Sequence, residues 1–134
     1  MARIAIDHIA IVVSDMEAAL GFWQGALGLE LQRIESIAAE EVEVAFLETD
    51  NAHIELLLPT GDDSGIARYL ASKGGGMHHI CLAVADIEAA MQRLDDAGIE
   101  LINERPRQRE DGTRYAFVHP KSSGGVLVEL YQKT

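Results

Sequence analysis

The sequence predicts an α+β chain of two tandem βαβββ modules whose strands curl into a cup-shaped mixed sheet. Three observations carry this. The segment Asp7-His8-Ile9 returns as His78-His79-Ile80, and Val13, Asp15, Glu17, Ala18 and Ala19 return as Val84, Asp86, Glu88, Ala89 and Ala90 at one constant offset. Further on, Ala45-Phe46 ahead of Ile54-Glu55-Leu56 is echoed by Ala116-Phe117 ahead of Val128-Glu129-Leu130. Apolar spacing also switches from alternation to helical period and back in the same order in each copy. A duplicated supersecondary unit explains all three.

Each element has a local cause. Ile4–Val13 is rich in β-branched residues and predicts a strand. Ser14 and Glu17 form a capping box, so a helix starts there. Met16, Ala19, Leu20, Trp23 and Leu27 recur at helical spacing, with Gly28 as the left-handed stop. Strands follow at Leu29–Ser36, Val42–Thr49 and His53–Pro59, the last two joined through Asp50 and Asn51. A short helix over Ser64–Ser72 leads into the linker Lys73-Gly74-Gly75-Gly76. The second copy gives a strand at Met77–Val84 and a helix from Asp86 with Gly98 as its stop. Strands at Ile99–Asn103, Arg114–His119 and Val126–Gln132 complete it. The organisation is one domain over residues 1–134, with module one at 1–73 and module two at 77–134.

Composition narrows the function. A chain of 134 residues that is 48% hydrophobic can bury a real core. No run approaches the roughly 18 apolar residues that span a bilayer, and no leader pattern opens the chain. The single cysteine, Cys81, excludes an internal disulfide and points to a reducing, cytoplasmic setting. A net charge of −11 argues against nucleic acid and anionic membrane as partners. The exception is local: Arg105, Arg107, Arg109, Arg114 and Lys121 crowd one stretch of the second module, which is either a solvated loop or a seat for a phosphorylated ligand.

Alternation assigns side chains to faces. Ile9, Ile11 and Val13 go beneath the helix, which turns His8, Ala10 and Val12 into the cup. The repeat places Ile80, Leu82 and Val84 beneath and His79, Cys81 and Ala83 in the cup. Glu55 and Glu129 follow, because their neighbours Ile54, Leu56, Val128 and Leu130 pack. A lone His or Glu on a strand is ordinarily a satisfied structural group. Two of each at equivalent positions on one face, among small residues, predict a divalent metal site of His8, Glu55, His79 and Glu129. Its N₂O₂ donors suit Co²⁺, Mn²⁺, Ni²⁺, Fe²⁺ or Zn²⁺ over Ca²⁺. His53 shares the face of Glu55 but has no repeat mate, and is an alternative ligand. His78 has the wrong parity, His119 reads as a turn residue and Trp23 as core. On the next strand, Val42, Val44 and Phe46 are given the packing side, which turns Glu43, Ala45 and Leu47 into the cup. Glu43 is then a carboxylate beside the metal, and Arg114 is its repeat mate.

These residues resemble the vicinal oxygen chelate (glyoxalase/bleomycin-resistance) superfamily, and over nearly the whole chain they are similar to the methylmalonyl-CoA epimerase family within it. The resemblance rests on Asp7-His8-Ile9-Ala10-Ile11-Val12-Val13, on Ile54-Glu55-Leu56-Leu57 before Pro59, and on Gly76-Met77-His78-His79-Ile80-Cys81. It rests most on Ala116-Phe117-Val118-His119-Pro120-Lys121 running into Gly125-Val126-Leu127-Val128-Glu129-Leu130. It implies a divalent metal, often Co²⁺, at His8, Glu55, His79 and Glu129, with glutamine at the second of these in some members. It also implies proton transfer through Glu43 and Glu129, an acyl-CoA substrate and a homodimer. Arg107-Gln108-Arg109-Glu110-Asp111 departs from the family's glycine-rich loop. Arg114, Lys121, Arg107 and Arg105 become candidate contacts for substrate carboxylate or phosphate. The competing readings are a glyoxalase-like lyase, a ring-cleaving dioxygenase, and a binding protein without chemistry. A fourth ligand at Glu55 argues against the dioxygenase, and four charged ligands argue against simple sequestration.

Overall fold

In the computed structural model, residues 3–133 are described. The elements run β1 (Ala5–Val12), α1 (Met16–Leu20) with a π-helical extension (Gly21–Ala26), β2 (Glu30–Ile37), β3 (Val42–Glu48) and β4 (His53–Pro59). They continue with α2 (Gly65–Lys73), β5 (Gly76–Ala83), α3 (Ile87–Asp96), β6 (Arg107–Gln108), β7 (Arg114–Val118) and β8 (Val128–Gln132). The fold is α+β, and the βαβββ order occurs twice. The chain gathers into two compact units, residues 8–78 and residues 79–133 with residues 3–7. In the first unit the strand order is β2-β3-β4-β1, in the second β5-β8-β7-β6. Each pairs its first and last strand in parallel, β1 with β4 and β5 with β8, and the others are antiparallel.

Three local expectations are corrected. The cap of α1 is Asp15, not Ser14: its Oδ1 accepts the Ala18 amide at 3.0 Å, as Asp86 accepts Ala89 at 3.1 Å for α3. The regular helix after Met16 widens into a π turn, with the Leu27 amide donating to Phe22 at 2.8 Å. One extra residue per turn keeps Leu20 and Trp23 on the core side and swings Leu27 outward, where it is half exposed. The strand expected at Ile99–Asn103 is reduced to one bridge, Leu101 with Val118. The Asn103 side chain takes the Phe117 amide at 2.8 Å, a bond the backbone ladder needs in order to continue. Strand pairing resumes at β6, inside the stretch read as a basic loop.

The core explains the faces. Met16 of α1 packs with Ala45, Leu47 and Leu56, and Ile11, Val13, Ile54 and Leu58 pack against them. On the opposite face, α2 brings Ile66, Tyr69 and Leu70 onto Ala10, Val12, Val42, Val44 and Leu57. The first unit's sheet is thus covered on both sides. In the second unit α3 covers Val84, Ala116, Val118 and Leu130 with Ile87 and Met91.

The turn from α2 to β5 depends on glycine. Gly74 ends α2 in the left-handed region (φ 76°), and Gly75 follows at φ 100° with a Cβ there lying 2.9 Å from the Val12 carbonyl oxygen. Gly75→Ala adds backbone strain to a steric clash and is expected to cost about 1–3 kcal/mol. Urea denaturation checks this, and an unchanged midpoint contradicts the account.

Candidate metal centre

In the first unit, parallel register sets His8 beside His53 and Ala10 beside Glu55. One oxygen of Glu55, Oε2, lies 2.9 Å from His53 Nε2 and 3.1 Å from His8 Nδ1. The two imidazoles tilt against each other at 5.1 Å, and Phe46 stands 6.2 Å from the His53 ring. Ala10 has no exposed surface, and its small side chain leaves room for the larger groups at this end of the face.

The second unit repeats the pairing. Cys81 of β5 registers with Glu129 of β8, and His79 Nε2 lies 3.1 Å from Glu129 Oε1. Glu129 is 2% exposed and His79 nearly as buried, with the imidazole edge-on to Phe117 at 5.7 Å. A buried carboxylate carries a desolvation cost of several kcal/mol unless donors or cations meet it. Here Arg109 also approaches, Nη2 at 3.5 Å from Glu129 Oε2, its guanidinium lying 3.9 Å over Tyr115 and 5.6 Å from Tyr131. Cys81 is fully buried, a small apolar filler on this face.

The geometry therefore brings His8 to Glu55, and His79 to Glu129. It does not bring Glu43 to that face. Glu43 registers with Leu58, which packs in the α1 cluster, and its neighbours Ala45 and Leu47 lie in the same cluster. Val42, Val44 and Phe46 instead share the face of Glu55. Both sides of β3 are apolar, and the helix that receives the valines is α2, so alternation alone gave the wrong phase. The same correction applies to Arg114. Its parity is that of Ala116 and Val118 beneath α3, and its guanidinium pairs with Glu88. Lys121 sits on the 3₁₀ turn after β7 and pairs with Glu100 at 2.8 Å, which holds that carboxyl below its usual range. Arg107 registers with Tyr115 and so projects from the side that bears Phe117 and Glu129. His119 accepts the Lys121 amide as a turn cap, and His78 packs edge-on against Tyr69.

Two contributors were under-read in the sequence. His53 stands at hydrogen-bond distance from Glu55, a signal already present in the His-x-Glu spacing of one strand face. In the sequence Arg109 is one of the five basic residues crowded between positions 105 and 121. Its i, i+2 relation to Arg107 and the aromatic pair Tyr115 and Tyr131 were the available signal.

The chain belongs to the Glyoxalase/Bleomycin resistance protein/Dioxygenase superfamily, whose family model it matches over residues 7–117. Within that superfamily its relatives include methylmalonyl-CoA epimerases. It is 41% identical over 128 residues to the human mitochondrial methylmalonyl-CoA epimerase, covering 95% of this chain and 73% of the human one. It is 40% identical to the ethylmalonyl-CoA/methylmalonyl-CoA epimerase of Cereibacter sphaeroides, covering 95% and 96%. A variant of the Streptomyces coelicolor methylmalonyl-CoA epimerase, solved with 2-nitronate-propionyl-CoA, superposes with a TM-score of 0.86 at 34% identity, covering 97% of each chain.

Tyr131 offers a test of this packing. Burial pushes its phenol up to about 12 from 10.0, against the opposing pull of Arg109. Below pH 10 the phenol is protonated folded or unfolded and adds no pH dependence. Above it the unfolded chain releases the proton first, so stability falls as pH rises toward about 12. In Tyr131→Phe that part of the alkaline loss should vanish, giving a shallower fall in urea midpoint. A fall as steep as that of the parent chain contradicts the burial.

Proposed function

We propose that this chain is a methylmalonyl-CoA epimerase, interconverting the (R) and (S) thioesters by removing and returning the proton on the carbon between thioester and carboxylate. The carrying observation is the His–Glu pair present in both halves, at 3.1 Å each time. Identity of 40% or more to two epimerases over nearly the whole chain supports it. The relative solved with a nitronate analogue of an acyl-CoA supports an acyl-CoA substrate.

His8, Glu55, His79 and Glu129 would together hold one divalent ion, with the whole chain acting as one domain. The donors fit. Two imidazoles and two carboxylates match a borderline transition metal, and each carboxylate already faces its imidazole. Co²⁺ is the proposed native ion, with Mn²⁺, Ni²⁺, Zn²⁺ and Fe²⁺ meeting the same donors. Bound there, such an ion supplies Lewis-acid stabilisation of the enolate oxygen, worth several kcal/mol.

Inversion needs one proton carrier on each side of the carbon. Glu129 is one. Glu43 is turned away from this face, and the strand that bears it offers Val42, Val44 and Phe46 there instead. The duplication supplies the counterpart, Glu55, the repeat mate of Glu129. Arg107 and Arg109, on the side of Glu129, meet the anionic substrate. We place the enzyme in the cytoplasm, as the single buried cysteine suits. Among the described residues, no helix is long and apolar enough to cross a membrane. We read it as a homodimer, in keeping with the exposed Ile4 and Ile6.

Two experiments test the reading. Incubated with one methylmalonyl-CoA epimer in deuterated water, the protein should incorporate label and lose substrate handedness. Glu43→Gln should keep its rate within about twofold, whereas Glu129→Gln should lose at least about 100-fold. Absent exchange in the parent chain overturns the function, and a Glu43→Gln collapse overturns the face assignment. Separately, His79→Ala should lose bound metal and activity together. Normal metal stoichiometry by elemental analysis removes His79 from the ligand set.

A further inference from the structure

We propose that residues 8–78 carry a complete metal-binding set of their own: His8, His53 and Glu55, which hold a divalent transition-metal ion without ligands from residues 79–133. The inference shares His8 and Glu55 with the reading above and adds His53 as a ligand. Three observations support it. His53 and Glu55 stand two apart on β4 and project from one face, while parallel register puts His8 of β1 directly beside His53. Ligand atoms of all three, together with a carboxylate oxygen of Asp7, lie within 4.8 Å of one another. The two edges that meet at Glu55 Oε2 measure 2.9 and 3.1 Å. Adjacent ligands on an octahedral ion with bonds of about 2.1 Å lie about 3.0 Å apart, so two edges of a coordination sphere are already in place.

The chemistry and setting agree with the geometry. Two imidazoles and one carboxylate on one side form the two-His, one-carboxylate set that leaves positions open opposite. Such donors select Co²⁺, Fe²⁺, Ni²⁺ or Zn²⁺ over Ca²⁺ and Mg²⁺. His53 is held in place by two ring neighbours, His8 and Phe46. Its side chain is 23% exposed and that of Glu55 14%, so the set is shielded yet reachable from one side. The fold does not require a histidine here, since the repeat position of His53 is Leu127. His53 is an addition to the duplicated pattern, made where a third ligand completes the set.

Co²⁺ titration of the full-length chain, followed by its visible absorption and by metal analysis, tests this. The His79→Ala/Glu129→Ala variant should still take up one Co²⁺ per chain, more weakly than the parent. Adding His53→Ala should abolish that uptake. A folded double variant that takes up no Co²⁺, or uptake indifferent to His53→Ala, overturns the inference. If circular dichroism shows the double variant unfolded, X-ray absorption of the Co²⁺-loaded parent decides. Loss of one imidazole from the first shell in Co²⁺-loaded His53→Ala, relative to the parent, supports the inference, and an unchanged imidazole count overturns it. A parent chain that binds no Co²⁺ at all overturns the four-ligand reading as well, which separates the two failures.

Discussion

Parallel pairing of the first and last strand of each module is the constraint from which the rest follows. It sets a histidine of one strand beside a glutamate of its neighbour, and it does so twice. A helix bonded only to itself can place such a pair three or four residues apart. Two parallel strands place it across a rigid ladder, with neither side chain's position depending on a loop. The 3.1 Å contacts are thus fixed by backbone hydrogen bonds rather than by side-chain preference. Everything apolar on the reverse face serves that end. Leu56 and Ala45 under α1, and Leu130 and Ala116 under α3, hold the strands in the one register that aligns the polar groups.

Burial gives the pairs their chemistry and their cost. Glu129 is almost wholly removed from water, and a carboxylate there depends on every positive or donating group that reaches it. His79 meets one oxygen and Arg109 the other. The guanidinium is itself steadied on Tyr115, so a flexible side chain becomes a positioned one. A chain of net charge −11 thereby sets positive charge at one anionic point, with the excess acid on the solvated surface. Around Glu129 the local balance is set by Arg109 rather than by the net charge of the chain. For an anionic substrate the local term decides binding, because exposed distant charges are screened within about 10 Å at 0.1 M salt.

Much of this was legible in the sequence, and the misplacement of Glu43 and that of Arg114 share a physical origin. The repeat gave the module order, the helices that follow β1 and β5, and the faces of β1, β4, β5 and β8, with the first helix's cap placed one residue early. Those strands are readable because an apolar row alternates with a row containing a charged residue. Strand β3 is not, since Val42, Val44 and Phe46 alternate with Ala45 and Leu47, and either row could be the packed one. Alternation gives two faces but not their labels. The label came from α2, a helix the repeat does not contain, which covers the valines. Arg114 failed with Glu43 because the repeat carried one phase error into both copies. The mate Ala116, small and fully buried beneath α3, could have corrected both. Asn103 misled for another reason: a side chain that takes a backbone amide ends a strand without changing its apolar pattern.

Duplication also sorts what is structural from what was added later. Features present in both halves, the His–Glu pair, the aspartate cap and the buried alanine, belong to the module. Features present in one half have a separate cause. His53 stands where the second half has Leu127, and Arg109 stands where the first half has Ala38. Each of these singular residues lies against the shared pair of its own half, His53 at Glu55 and Arg109 at Glu129. A residue the fold does not need, placed against a buried carboxylate, changes what that carboxylate can do. The imidazole offers a nitrogen that can bind an ion, whereas the guanidinium can only donate. The two halves start from one pattern and differ in what meets the carboxylate, a second imidazole in the first and a guanidinium in the second.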